Sequence, residues 1–295
     1  MASTEGLTTE QRDFWAENGY LIIPNALSPE TVDELLRESH QLLEDFSLDG
    51  HPMTKFTTGD DASSSAHVGD NYFLTSHDQI RFFFETAAFS SSGVLLKPKT
   101  RAINKIGHGL HLLSPAFRSA TLTRGNLAIA RDLGFSDPRV LQSMVICKQP
   151  EIGGAVPSHQ DSTFLYTNPP SAVGFWYALE DCTESNGCLS FAPGSHRRCE
   201  VKKRFVRMEG GGTGFEDVQS AGEWSEEDET FVLGPVERGS LVLIHGNVLH
   251  KSERNTGMGS RFIYTFHVIE GENKYDEKNW LQPTAEGFSR LNDVE

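Results

Sequence analysis

Three residues of the types that bind metal ions stand out in the sequence: His159 and Asp161 in the triplet His-Gln-Asp, and His250 about ninety residues later. A strand or an extended loop places residues i and i+2 on the same side, so His159 and Asp161 can converge on one ion. Two imidazoles and one carboxylate leave further coordination positions open, as in non-haem Fe(II) oxygenases. The pattern therefore predicts a mononuclear iron site. The other interpretation of His159 is a surface histidine paired with Asp161.

Two histidines compete for the third position, because His245 and His250 lie in the same apolar segment. Arg261 favours His250. It stands eleven residues after His250 at the start of a β-rich run, a spacing that lets consecutive antiparallel strands place both side chains in one pocket. A guanidinium can bind a carboxylate through two parallel hydrogen bonds, as the distal end of 2-oxoglutarate requires. His245 is then expected to be structural, and the other interpretation of Arg261 is an ordinary surface charge.

The first sixty residues, which precede these candidates, are expected to be largely helical. Thr8 and Gln11 predict a capping box at the start of a first helix. The apolar residues 20–23 predict a short strand. Ser28 then caps a second helix, whose apolar stripe reaches about Asp45.

From Ser143 onward the chain changes to short β-forming segments separated by Gly, Pro and Asn, which predicts a closed or sandwiched antiparallel β domain. The clearest segments are 144–147, 173–179, 188–191, 241–244 and 262–266. Two stretches lack this character. The polar residues 59–70 are predicted to be a loop, and the stretch from Gly210 to Glu229 is predicted to be an insertion between strands.

Composition narrows the class of protein. A chain of 295 residues with 37% hydrophobic content can bury a sizeable core. Its 41 acidic and 26 basic residues give a formal charge of -15, which opposes binding to nucleic acid or anionic membrane and favours small-molecule partners. The four cysteines have no CxxC spacing, so no disulfide framework is expected. A polar N-terminus, no run of about 18 apolar residues and no peroxisomal C-terminal signal together predict a cytoplasmic location.

A set of ordered motifs makes the resemblance to a known family specific. They are 103–108 (INKIGH), 142–144 (QSM), 148–150 (KQP), 159–161 (HQD), 164–167 (FLYT), 186–189 (NGCL), 193–196 (PGSH), 243–246 (LIHG) and 279–285 (NWLQPTA). With these motifs the chain resembles the phytanoyl-CoA dioxygenase family, from about Leu7 to Glu286.

The resemblance implies a single dioxygenase domain over 1–295, mainly β with flanking helices, in which a helical part over about 8–140 precedes a core over about 141–270. The implied core is a double-stranded β-helix, or jelly roll. The implied site residues are His159, Asp161 and His250 as iron ligands, Arg261 with Ser252 for the 2-oxoglutarate carboxylate, and Lys105, Met144 and Trp176 lining the co-substrate pocket. Without the resemblance, Met144 and Trp176 can equally be core and Lys105 a surface charge.

The implied activity is hydroxylation of a small organic substrate, with Fe(II), 2-oxoglutarate as co-substrate and O2, and with decarboxylation of 2-oxoglutarate to succinate. One alternative is a catalytically silent jelly-roll module that binds a metal or ligand. Another is a zinc hydrolase with the same ligands, although Arg261 argues against it because hydrolysis needs no dicarboxylate clamp. A CoA-free substrate is favoured over a CoA ester because the net charge is negative. A local basic surface for the phosphates of CoA could still be formed by one cluster: Arg197, Arg198, Lys202, Lys203 and Arg204.

Overall fold

The helices come mainly from the first half of the chain. The computed structural model describes residues 6–56, 70–218 and 222–294. The α-helices are α1 (Thr9–Asn18), α2 (Pro29–Asp45), α3 (Asn71–Leu74), α4 (Leu110–Leu113), α5 (Pro115–Thr121), α6 (Arg124–Asp132), α7 (Asp161–Phe164) and α8 (Ser195–Arg198). Short 3-10 helices cover Thr86–Ala88, Lys99–Arg101, Glu226–Asp228 and Leu291–Asp293.

Both predicted helix starts are confirmed. The Thr8 hydroxyl accepts a hydrogen bond from the backbone N–H of Gln11, and the Gln11 side chain accepts one from the backbone N–H of Thr8. This reciprocal pair is a capping box. Ser28 caps α2 by accepting a hydrogen bond from the N–H of Thr31, and Pro29 occupies the first turn, where its missing N–H costs no hydrogen bond.

Most of the strands lie from residue 138 onward. They are β1 (Tyr20–Ile23), β2 (Ile80–Phe84), β3 (Ile103–His108), β4 (Pro138–Lys148), β5 (Val156–His159), β6 (Thr167–Asn168), β7 (Val173–Ala178), β8 (Leu189–Phe191), β9 (Lys203–Arg207), β10 (Thr213–Asp217), β11 (Val232–Gly234), β12 (Leu241–His245), β13 (His250–Ser252), β14 (Arg261–Glu270), β15 (Lys274–Tyr275) and β16 (Ser289–Arg290). The predicted strand 20–23 is β1, and the five later predictions fall on β4, β7, β8, β12 and β14.

Two antiparallel sheets form the centre of the fold. The larger sheet has the order β1-β12-β7-β14-β4-β3-β2, with β16 also paired to β4, and the smaller one has the order β11-β8-β13-β5. The hairpin β9–β10 and the pair β6–β15 form two further small sheets. Strands β1, β2 and β3 come from the helix-rich part of the chain and complete the larger sheet.

Each face of the larger sheet packs against a different layer. Successive residues of β14 alternate between the two layers, because side chains along a strand point to opposite faces. Tyr264 and Phe266 join the core shared with the helices, whereas Ile263 joins a second core with Trp176 and with Phe191 of the smaller sheet. We call the face turned toward the smaller sheet the inner face. This layering is the mainly β fold with flanking helices that the sequence predicts.

The predicted insertion is confirmed as a segment between two strands that pair with each other. β8 and β11 are neighbours in the smaller sheet, and residues 192–231 connect them. This connection includes α8 and the hairpin β9–β10. The hairpin turns at Gly210–Gly212, where all three residues have positive φ, a conformation that glycine adopts without steric cost. Most of the predicted loop 59–70 lies outside the described residues.

None of the helices in the described parts of the chain combines the length and the apolar character needed to cross a bilayer.

Candidate metal centre

Three side chains with metal-binding atoms converge where two strands of the smaller sheet run side by side. His159 ends β5, Asp161 begins α7, and His250 begins β13 directly opposite His159. The Nε2 atoms of His159 and His250 lie 3.6 Å and 3.8 Å from Oδ1 of Asp161. One ligand atom from each residue lies within 4.8 Å of the other two, so the group could hold a metal ion. The structure thus brings together the three residues that the sequence predicts.

Backbone carbonyls fix the tautomer of both imidazoles. Nδ1 of His159 lies 2.9 Å from the carbonyl oxygen of Pro157, and Nδ1 of His250 lies 3.1 Å from that of Val248. A carbonyl oxygen only accepts hydrogen bonds, so each Nδ1 carries the proton and each Nε2 keeps its lone pair. Both lone pairs belong to the atoms nearest Asp161, and burial lowers the pKa of His250 to about 4, with His159 adding to the shift. Both imidazoles therefore present Nε2 as the atom available to a metal ion.

The Asp161 carboxylate is held from its other side by His267. Nε2 of His267 lies 3.2 Å from Oδ2 of Asp161, to which it donates because a carboxylate only accepts. Burial alone raises the pKa of Asp161, but His267 is the main neighbour that holds it well below its usual range. Asp161 is therefore kept ionised, with Oδ1 left for an ion.

The residue between the two ligands points away and ties the segment down. The Gln160 side-chain amide donates to the carbonyls of Cys199 and Asn247, at 2.7 Å and 2.8 Å. The backbone N–H of Ser162 donates to the Gly246 carbonyl at 2.9 Å. These bonds join the loop after β12 to the turn from β5 into α7, which fixes the spacing between the two parts of the triad.

Arg261 reaches this region by a different route from the predicted one. β13 and β14 belong to different sheets, so they are not the neighbouring antiparallel strands that the spacing suggested. Arg261 instead pairs with Lys148 on β4, and the Lys148 ammonium crosses between the sheets to donate to Ser252 Oγ at 2.8 Å. The guanidinium is thereby brought to the strand that carries His250. Because Arg261 is only 2% exposed, it is not the surface charge of the alternative interpretation.

Lys105, Met144 and Trp176 all lie on the inner face of the larger sheet. Met144 on β4 and Trp176 on β7 flank Thr265 of β14 in register. Lys105 on β3 is buried, which lowers the pKa of its ammonium to about 7, although the nearby Asp161 carboxylate opposes this shift. These residues form a wall that faces the candidate ligands.

Two buried residues near the centre were given no role from the sequence, His267 and Lys148, although Lys148 belongs to the motif 148–150. Both are polar residues in strands that are otherwise mostly apolar, and each stands at an even spacing from a predicted site residue, His267 from Arg261 and Lys148 from Met144. Even spacing along a strand places side chains on one face, so this pattern is the signal that could have found them. His245 lies outside the candidate ligand group, with its Nδ1 accepting from a backbone N–H.

The fold and the donor set define a class of protein. The chain resembles the non-haem α-ketoglutarate-dependent carbocyclase SnoK from nogalamycin biosynthesis, with a TM-score of 0.63 and 21% identity over 94% of this chain and 89% of that chain. It also resembles EctD from S. alaskensis with bound Fe, with a TM-score of 0.61 and 18% identity over 95% of this chain and 82% of that chain. At this identity the likeness shows the fold, the double-stranded β-helix of Fe/2-oxoglutarate oxygenases.

Sequence comparison identifies the family. Residues 15–263 match phytanoyl-CoA dioxygenase (PhyH). Phytanoyl-CoA dioxygenase domain-containing protein 1 of Danio rerio is 43% identical over 282 residues, which cover 95% of this chain and 96% of that protein. Phytanoyl-CoA dioxygenase of Arabidopsis thaliana is 41% identical over 283 residues, with 96% of each chain covered. The chain therefore belongs to the phytanoyl-CoA dioxygenase family.

The first prediction concerns the ligand set. We expect His159→Ala and Asp161→Ala to abolish tight binding of Fe(II) or Mn(II), because each removes one of only three protein donors. His245→Ala should retain the ion, since that imidazole lies outside the group. Metal titration followed by electron paramagnetic resonance of Mn(II) measures this, and tight binding by either of the first two variants would overturn the assignment.

The second prediction concerns His267. Replacing a group that orients a metal ligand commonly costs about 10- to 100-fold in metal affinity, and we expect a loss of this size for His267→Ala. The matched control is His40→Ala, which removes an exposed histidine from α2. The same Mn(II) titration applies. Equal affinities for the two variants would show that the bond to Oδ2 does not orient Asp161.

Proposed function

We propose that this chain is an Fe(II)- and 2-oxoglutarate-dependent dioxygenase that hydroxylates a small organic substrate and converts 2-oxoglutarate to succinate. The observation that carries the proposal is the convergence of two imidazoles and one carboxylate beside the inner face of the larger sheet, which also carries the buried guanidinium of Arg261. This donor set leaves coordination positions open and suits Fe(II). When bound, the metal and the co-substrate supply the oxidising chemistry from O2.

The position of each residue in the site determines its proposed role. His159, Asp161 and His250 would hold the metal, with the His267 hydrogen bond keeping Asp161 in one orientation. Arg261 and the Ser252 hydroxyl would receive the distal carboxylate of 2-oxoglutarate through charge-assisted hydrogen bonds. Nε of Arg261 supports this role, because it is a buried donor without a hydrogen-bond partner in the structure.

The wall of the pocket would exclude water and place the co-substrate. The Trp176 ring lies 5.6 Å from the Arg261 guanidinium carbon, so it covers one face of the clamp. Met144 is buried on β4, which pairs with β14, and lies on the same face of the sheet. Lys105 would add a positive charge close to the Asp161 end of the pocket. Exclusion of water strengthens each of these electrostatic contacts.

Aromatic side chains beside the ligands indicate where an apolar part of the substrate would lie. The ring of Phe164 in α7 lies 6.0 Å from the His159 ring. The centroid of the Phe164 ring also lies 5.6 Å from that of Phe205 and 6.2 Å from that of Phe215, both in the hairpin β9–β10. The insertion therefore contributes to the surroundings of His159, which is 21% exposed at its side chain and is the most accessible of the three candidate ligands.

Ion pairs within the basic cluster favour a substrate without CoA. Arg198 pairs with Glu229 at 2.5 Å, and Arg204 pairs with Glu216 at 2.8 Å and with Asp276 at 3.0 Å. Cations that already have carboxylate partners offer less attraction to the phosphates of CoA. The cytoplasmic location and the absence of a nucleic-acid partner stay predictions from the sequence.

The third prediction tests the function without knowledge of the substrate. Protein loaded anaerobically with Fe(II) and then given 2-oxoglutarate and O2 should form succinate above the level of an Asp161→Ala control, because uncoupled decarboxylation needs only the metal and co-substrate sites. If no succinate forms, the affinity of the iron-loaded protein for 2-oxoglutarate decides. Tight binding would indicate strict coupling to substrate, whereas no binding would contradict the proposal and favour a silent metal-binding module.

The fourth prediction concerns the clamp. Arg261→Ala should weaken 2-oxoglutarate binding at least about 10-fold, since it removes a charge-assisted hydrogen bond, while metal affinity stays unchanged. Arg254→Ala is the matched control, because it removes an exposed arginine from the segment that follows β13. Isothermal titration of Mn(II)-loaded protein measures both affinities. An unchanged affinity for 2-oxoglutarate in Arg261→Ala would refute its role.

A further inference from the structure

Lys148 carries a buried positive charge that neither the sequence motifs nor the triad explains. Its side chain is 2% exposed, and its ammonium donates to Ser252 Oγ at 2.8 Å and to the Glu253 carbonyl at 2.5 Å. Burial, reinforced by the neighbouring charge of Arg261, lowers the pKa of Lys148 to about 7. A buried ammonium is costly unless a negative charge compensates it.

Within the described parts of the chain, no direct ion pair supplies the compensating charge. Arg261 is the cross-strand neighbour of Lys148, and its Nη1 donates to the Gly187 carbonyl at 2.5 Å while its Nε has no partner. Neither cation forms an ion pair with a carboxylate within these residues. The charge of Glu85 acts on both cations and that of Glu253 acts on Lys148, but neither carboxylate lies within ion-pair distance, and the Glu85 side chain accepts hydrogen bonds from Asn104 and from a backbone N–H instead.

The hydrogen-bond roles around Ser252 fix where its proton goes. An ammonium can only donate, so Ser252 Oγ is the acceptor of the Lys148 bond, and the hydroxyl proton is left to point elsewhere. The packing around Lys148 is tight as well, because a Cβ on Gly187 would lie 3.1 Å from its Nζ and 2.2 Å from the Glu253 carbonyl oxygen. Ser252 is thereby a preset donor beside the two buried cations.

We propose that Lys148 is a positioning residue for the distal carboxylate of the co-substrate, because it turns the Ser252 hydroxyl into a donor and, with Arg261, forms a two-cation site for a dicarboxylate. This inference rests on the proposed function. It adds to the Arg261–Ser252 clamp a second buried charge, supplied by β4. The site therefore selects a 2-oxo acid with a carboxylate at its far end over one without.

The experiment compares Lys148→Met, which keeps side-chain length without charge, with Lys251→Met. Lys251 lies next to Ser252 on β13 and is 34% exposed at its side chain, so the control removes the same charge close by. Both variants and the parent are loaded with Mn(II) and titrated calorimetrically with 2-oxoglutarate and with 2-oxopentanoate, which has the same carbon chain but no distal carboxylate. Neither measurement depends on turnover.

We expect Lys148→Met to weaken 2-oxoglutarate binding about 10- to 100-fold, which is the usual contribution of a hydrogen bond to a charged group. The affinities of this variant for 2-oxopentanoate and for Mn(II) should stay near those of the parent. Lys251→Met should resemble the parent for both acids. Equal weakening of the two acids would overturn the inference, because a purely structural lysine affects them alike. Unchanged 2-oxoglutarate affinity would overturn it as well.

Two further outcomes keep the inference separate from the proposed function. If the Mn(II)-loaded parent itself binds no 2-oxoglutarate, the proposed function fails, and the inference fails with it. If Lys148→Met does not fold, the parent still provides a test through Ser252→Ala, which removes the hydroxyl and keeps both cations. This variant should lose affinity for 2-oxoglutarate and not for 2-oxopentanoate, and the opposite pattern would contradict the role given to Ser252.

Discussion

The site depends on keeping the Asp161 carboxylate ionised while it is buried between two sheets. A buried carboxylate is unstable without partners, and here His267 on β14 is the hydrogen-bond donor, while His159 on β5 and His250 on β13 turn their Nε2 atoms toward the same carboxylate. Because β14 belongs to the larger sheet and the other two strands to the smaller one, this single side chain links the two layers. The hydrogen bond from His267 acts on Oδ2, and Oδ1 is left toward the imidazoles.

The same layering separates the two ends of the proposed co-substrate site. His267, which holds Asp161 by a hydrogen bond, lies on β14, and Arg261 lies six residues away on the same face of that strand, so the strand itself sets their separation. β14 is hydrogen-bonded to β4 and to β7 along much of its length. Neither end of the site can move along the strand without breaking that pairing.

Local patterns in the sequence predicted the helix caps, the main strands and the three residues that converge, because each depends on residues close in sequence or on a short motif. The contacts between sheets could not be predicted in this way. The bond from Lys148 to Ser252 and the bond from His267 to Asp161 join residues more than a hundred positions apart. To predict these contacts, one must know which strands belong to which sheet. The assumption that β13 and β14 are neighbours placed Arg261 in the same region as His250, but through a strand pairing that the structure does not contain.

The insertion between β8 and β11 is a segment that can differ between proteins that share this fold. Its two ends are held by strands that pair with each other, so its length and sequence can change without shifting the register of the smaller sheet. It nevertheless places Phe205 and Phe215 against Phe164, close to His159. The lining of the proposed substrate side can therefore change as one unit, while the metal-binding and charged groups stay fixed by the pairing of the two central sheets.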